Sequence, residues 1–299
     1  MASSEAVPSW LEKKKIDWAG AIPFILCHLA VFAAFWTGVT WQALVVCVVL
    51  YVVRMFAVTG GYHRYFSHRT YKTGRVFQFI LAFLAQSSAQ KGALWWAAHH
   101  RRHHKHSDQP GDVHSPVLGG FMHSHVGWLF YEGAGDTDLD RIKDFAKYPE
   151  LRFLDRFHLL PPILLGAACA WLFGWSGLII GFFLSTVLLW HGTFFINSLA
   201  HVFGKRRFAT TDDSRNNGWL ALITLGEGWH NNHHRYQASA RNGFYWWEID
   251  VTYYVLKVLS WLGLVWDLRP VPEKILEEGR RADVARAAGE LTDEPIAAE

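Results

Sequence analysis

Hydrophobic positions in this chain bunch into long runs, and polar positions collect between them. The runs "AGAIPFILCHLAVFAAFW" (about 19–36) and "WQALVVCVVLYVVRMFAV" (about 41–58) form one pair. "LLPPILLGAACAWLFGW" (about 159–175) and "GLIIGFFLSTVLLWHGTFFI" (177–196) form a second. A membrane-crossing helix needs roughly 20 apolar residues, so each run is long enough or nearly so. Trp and Tyr stand near several of the ends, as an interfacial belt requires. The pattern predicts an α-helical integral membrane protein with four transmembrane helices in two hairpins.

A fifth apolar stretch, "VFQFILAFLAQSSAQKGALWW" (about 76–96), is interrupted in its second half by Gln86, Ser87, Ser88, Gln90, Lys91 and Gly92. It reads as an interfacial helix. The links "TGVT" and "FGWSG" inside the two hairpins carry no charge. The opposite ends carry Lys13, Lys14 and Lys15, then Arg64, Arg69, Lys72 and Arg75, then Lys205, Arg206 and Arg207. Lys and Arg excess marks the cytoplasmic side, so both hairpins are expected to enter from the cytoplasm and return to it. The expected organisation is a cytoplasmic N-terminal segment (1–18), one membrane-embedded domain with a cytoplasmic helical part (19–268), and a charged cytoplasmic tail (269–299).

Composition refines this reading. The chain has 299 residues, of which 51% are hydrophobic and 16% aromatic. A net charge of +3 is too small to suggest nucleic acid as a partner. Cys27, Cys47 and Cys169 lie inside apolar runs without metal-type spacing and read as small buried hydrophobes. The start of the chain has no signal-peptide pattern.

The chemistry is concentrated in histidine. "HRYFSH" offers His63 and His68, "HHRRHHKH" offers His99, His100, His103, His104 and His106, and "HNNHH" offers His230, His233 and His234. Residues three and four apart share a helix face, which fits His100, His103 and His104, and likewise His230, His233 and His234. His63 and His68 stand five apart, about 140° from each other on an α-helix, and converge only near a helix end or a break. So many imidazoles exceed what one ion can use, and two metals are the economical reading. Imidazole suits Fe, Zn, Cu and Ni, so ligand type does not choose the element. In "FFINSLAH", Asn197 and His201 share a face at the end of the fourth run. His28 and His191 fall inside apolar runs without a partner cluster and are expected to hydrogen-bond near the interface. His114, His123, His125 and His158 are expected to be supporting or structural.

The motifs "GGYHRYFSHRTY", "HHRRHHKHSD", "SHVGWLF", "NSLAH" and "GEGWHNNHHRY", in this order over about residues 20–268, resemble integral-membrane fatty acyl desaturases of the stearoyl-CoA desaturase type. The resemblance implies a non-haem di-iron centre with His63, His68, His100, His103, His104, His201, His230, His233 and His234 as ligands and Asn197 in contact through water. It implies that His63, His68, His100, His104 and His234 hold one iron, while His103, His201, His230 and His233 hold the other. It further implies O₂ as co-substrate, a fatty acyl substrate (acyl-CoA or acyl-lipid) and a cis double bond at the Δ9 position. Animal relatives carry an acid just before the second box, where this chain has His99. No "HPGG" haem motif is present, so electrons are expected from a separate donor of ferredoxin or cytochrome-b5 type. Asp108, Asp112 and Glu227 are candidates to orient ligand rings, Trp95, Trp96 and Trp229 to wall an acyl tunnel, and Arg64, Arg69, Lys72 and Lys105 to meet a phosphate-bearing head group. The competing readings are a membrane di-iron hydroxylase and a metal transporter or sensor. The latter should place its ligands at the midplane of the spans.

Overall fold

A computed structural model describes Val7 and residues 9–289. Among these residues the protein is mostly helical, with one two-stranded antiparallel pair, Lys72–Thr73 against Val265–Trp266. Three continuous helical stretches are long and apolar enough to cross a membrane: Trp18–Thr37, Trp41–Ser67 and Leu160–His201.

The third stretch is two helices. Gly174 leaves helical geometry (φ 65°, ψ −159°), and Gly166 packs so close to Phe182 that a Cβ there would lie 3.4 Å from the ring. Sixteen residues along an unbroken helix would separate them by about 24 Å. The chain therefore turns back at Gly174, in the charge-free "FGWSG" link. The first hairpin turns at Gly38 (φ 72°), where a left-handed conformation favours glycine. The two turns meet, because Thr40 donates its backbone N–H to Ser176 Oγ at 3.1 Å. The Thr40 hydroxyl also caps the next helix by accepting from Ala43 N–H.

Two expected boundaries change. The 76–96 stretch is not one helix but two, Arg75–Gln86 and Ala93–His106. Between them Ala89 and Lys91 adopt positive φ, and the freed carbonyls find side-chain donors: Arg54 Nη1 bonds Ser87 O, and Trp190 Nε1 bonds Ser88 O. These bonds satisfy two of the carbonyls that the break frees, and the break starts the histidine-bearing helix afresh at Ala93. Part of the charged tail is helical and packed on the rest of the protein. Glu273–Ala287 is a helix with Ile275 buried, joined to the rest by Arg235–Glu278 and Arg207–Asp283. Gly279 allows the close approach, since a Cβ there would collide with Tyr245 and Phe208.

The largest core joins Met55, Tyr62, Phe66, Leu81, Leu94, Leu189, Trp190 and Leu256. It packs the helices carrying the first two histidine segments against the end of the last apolar helix.

Candidate metal centre

Trp41–Phe56 is α-helical, but over Ala57–Ser67 the same helix widens to π winding. The N–H of His68 bonds the carbonyl of His63, five residues back, at 3.2 Å. Bonding from i to i+5 stacks residues five apart, which closes the angular gap between His63 and His68. Their rings meet at 4.8 Å between centroids and 90°.

Helix Ala93–His106 contributes His100, His103 and His104. The short helix His230–Arg235 contributes His230, His233 and His234, and the turn Leu199–His201 contributes His201. "HNNHH" has two working faces. While the histidines turn inward, Asn231 Oδ1 accepts from Arg207 and Phe208 N–H at 2.8 and 2.7 Å. Asn232 Oδ1 accepts from Asn216 Nδ2 at 2.7 Å, and its own Nδ2 donates to Glu248 Oε2 at 2.8 Å. These fully buried amides anchor a helix too short to hold itself.

The nine histidines form two sets. His63, His68, His100, His104 and His233 make one, and His103, His201, His230 and His234 the other, with the ligand atoms of each set within 4.8 Å of one another. In the first set neighbouring Nε2 atoms lie close: His68–His100 2.8 Å, His100–His104 3.0 Å, His104–His233 2.9 Å and His233–His63 3.0 Å. In the second, His201 and His230 Nε2 are 3.1 Å apart, and His234 Nε2 is buried without a protein partner. Nitrogens held about 2.1 Å from one ion lie about 3.0 Å apart at right angles, but about 3.4 Å at the tetrahedral angle. The spacing and the five-membered set therefore suit ions that take more than four ligands. The sets adjoin, with His104 and His234 rings 4.4 Å apart.

The grouping corrects one expectation. His233 belongs with His63, and His234 with His103, the reverse of the implied partition. Residues four apart on an α-helix are offset by about 40° and residues three apart by about 60° in the other direction. His100 and His104 accordingly share one set, His230 and His234 the other, and the three-apart pairs divide.

Carboxylates orient the rings from behind. His103 Nδ1 bonds Asp112 at 3.0 Å, His201 Nδ1 bonds Asp108 Oδ2 at 2.8 Å, and His234 Nδ1 bonds Asp212 Oδ2 at 2.6 Å. His63 Nδ1 lies 2.7 Å from Glu227 Oε2. Such contacts would fix which ring nitrogen faces a bound metal. Burial pushes the pKa of His68, His100, His104, His230 and His233 well below the ordinary histidine value, and neighbouring imidazoles add to the effect. Burial thus favours the neutral rings, whose lone pairs metal binding requires. Burial opposes a charge on Asp108, but its bond to His201 prevails and holds it down at about 2.

Asp108, Asp112 and Glu227 are thus where the sequence reading sought them. Asp212 was missed: it lies 22 residues before His234 in a polar loop, without a periodic signal. His99 turns away from the centre; its Nδ1 bonds Trp95 O at 3.0 Å and burial lowers its pKa to about 4. The His114 ring lies 4.3 Å from that of His103, tilted by 31°. Asn197 ends helix Ser185–Asn197, four residues before His201, and its carbonyl accepts from Ser124 Oγ.

His28 and His191 do have partners. Their Nε2 atoms are 3.1 Å apart, and His191 Nδ1 lies 2.9 Å from His125 Nε2, so three rings link the first and last apolar helices. Trp96 stacks on His100 at 4.9 Å, whereas Trp95 packs on Trp128 and Trp229 donates to Ile249 O. Arg64 is unavailable to a head group, being buried between Glu227 and Asp250. Arg69 pairs with Asp144 and Lys72 with Asp267.

Apolar helices of membrane-crossing length are joined to a largely buried nine-histidine double cluster that could hold two metal ions, the make-up of a membrane-associated metalloprotein. Residues 39–264 match the model of the fatty acid desaturase family, and the chain belongs to that family. It is 36% identical over 265 residues to the sn-1 stearoyl-lipid 9-desaturase of Anabaena variabilis, covering 88% of this chain and 97% of that one. It is 37% identical over 249 residues to the acyl-CoA C20 Delta5-desaturase of Anemone leveillei (79% and 76% covered). It is 34% identical over 297 residues to the hex-5-enoyl-[acyl-carrier protein] acetylenase of Moorena producens (91% of each). The protein is a fatty acyl desaturase, an oxidoreductase of lipid metabolism.

Proposed function

We propose that this desaturase introduces a cis double bond at the Δ9 position of a saturated acyl chain, using O₂ and two irons held by the two histidine sets. The observation that carries the reading is the convergence of the nine ring nitrogens into two adjoining sets of five and four. When bound, iron supplies the O₂-dependent oxidising power for removing hydrogen from an unactivated methylene, which no side chain possesses.

The protein's part is to place two neighbouring carbons beside the centre and to keep water out. Trp96, lying against His100 and Tyr62, is positioned to shape the wall nearest the metals. Asn197 is assigned a water-mediated contact. Electrons come from a separate ferredoxin or cytochrome-b5 type donor.

Both hairpins cross the membrane, giving four spans with the histidine sets and both termini on the cytoplasmic face. The meeting of the charge-free turns at Thr40 and Ser176, opposite the Lys- and Arg-bearing ends, supports this topology.

Two carriers have specific support. A cavity of about 470 Å³ is lined by Arg152 and Arg156, which would meet the phosphates of an acyl-CoA, beside Asp155 and apolar side chains such as Leu94 and Phe153. The name of the Anabaena relative favours a glycerolipid.

The test is to purify the full chain and measure iron per chain. It is then given O₂ and a reduced donor with stearoyl-CoA or a stearoyl glycerolipid, and the products are read by mass spectrometry. Two irons and a Δ9 alkene from one carrier support the proposal, whereas a hydroxylated product or fewer irons overturns it.

A further inference from the structure

The two histidine sets differ in what stands behind them. In the four-histidine set, three rings have a carboxylate on the outer nitrogen: Asp112 behind His103, Asp108 behind His201 and Asp212 behind His234. In the five-histidine set only His63 has one, Glu227 at 2.7 Å. That carboxylate is shared, since its Oε1 accepts from Arg64 Nε and Nη2 at 3.1 and 2.9 Å, and its Oε2 from Asn242 Nδ2 at 2.8 Å. Among the described residues no carboxylate comes within ion-pair distance of His68, His100, His104 or His233. The Nδ1 atoms of His104 and His233 are buried without a partner, as is that of His230, the one ring of the four-histidine set with no carboxylate behind it.

A carboxylate behind an imidazole draws its N–H proton and makes the other nitrogen a stronger donor. Stronger donation and nearby negative charge favour the higher oxidation state of a bound ion. The five-histidine set, with a single carboxylate behind its rings, favours the lower state. We infer that the two iron positions are electronically unequal: the four-histidine position holds ferric iron more firmly, and Asp108, Asp112 and Asp212 impose this as positioning residues. Of two electrons supplied by a one-electron reductant (the separate donor, or dithionite in the test), the first would reduce iron at the five-histidine position from Fe³⁺ to Fe²⁺ and the second would reduce iron at the four-histidine position. The inference rests on the two-iron reading above.

The test is a dithionite titration of the full-length protein loaded with ⁵⁷Fe, followed by Mössbauer spectroscopy, with iron per chain measured on every sample. Two separated one-electron steps are expected. Asp108→Asn, Asp112→Asn and Asp212→Asn should each make the second-reduced position easier to reduce. The expected shift is at least tenfold in its ferric-to-ferrous ratio, about 59 mV for a one-electron couple, with the first step nearly unmoved. Glu227→Gln should move the first step instead. Asp variants that move the first step, or both steps equally, overturn the inference. A single unresolved step in the unaltered protein also overturns it, whichever variants retain iron. Fewer than two irons in the unaltered protein would instead defeat the two-iron reading.

Discussion

His63 and His68 stand edge to face, 4.8 Å between ring centroids, although five residues separate them. The π winding of Ala57–Ser67 produces this contact. One alanine inserted between Tyr65 and Phe66 should therefore separate the pair while leaving the apolar span intact. Bound iron should fall from two to about one per chain and desaturation should be lost. Full iron loading of this variant, measured by elemental analysis, would count against the shared site.

The division of the third histidine segment predicts two spectroscopic classes. His234→Ala should perturb the same iron signal as His201→Ala, and His233→Ala the same signal as His63→Ala. Each loss should lower metal affinity by about tenfold or more. Mössbauer spectra that group His233 with His201 would refute the assignment.

Asn232 is fully buried, and its amide joins Asn216, Arg207, Asn242 and Glu248. Asn232→Ala leaves several of these groups unpaired, each at a cost of about 1–3 kcal/mol. A fall in Tm of several degrees is expected, with iron loss following because His233 and His234 share the helix. Thermal unfolding in detergent measures it, and an unchanged Tm would contradict the anchoring role.

Gly92 lies against Asp155, where a Cβ would sit 2.0 Å from Oδ1 and 2.7 Å from Cα. The second contact is with backbone and cannot be relieved by rotation. Gly92→Ala should destabilise the start of helix Ala93–His106 by about 1–3 kcal/mol, whereas Gly74→Ala, with open space around it, should not. Tm values for the two variants decide this.

Metal should also stabilise the fold, since the proposed centre would bind nine groups drawn from four chain segments that only folding brings together. A ligand present at 100 times its Kd adds about 2.7 kcal/mol. Chelation should lower Tm, and returned iron should restore it. A Tm indifferent to chelator would mean that the sets form no metal-linked core.

The helical spacing of His100, His103 and His104, and of His230, His233 and His234, is legible in the chain because i, i+3 and i, i+4 positions share a face whatever surrounds them. The apolar runs and the charge-free turn at Gly174 were legible for an equally local reason. The break at Ser87–Gly92 was visible only as a polar interruption; that it ends one helix and begins another depends on Arg54 and Trp190 reaching its carbonyls.

The sequence by itself determined the apolar runs, the donor atoms and the fact that adjacent residues such as His233 and His234, about 100° apart on a helix, point in different directions. Tertiary structure decided which direction is which. The orientation of the short His230–Arg235 helix is set by Asn231 and Asn232 gripping residues 207, 208, 216, 242 and 248. Asp212 reaches His234 from a loop distant in sequence. Local periodicity describes one helix at a time, whereas a metal site is the meeting of several, and their relative rotation is fixed by packing and hydrogen bonds between segments.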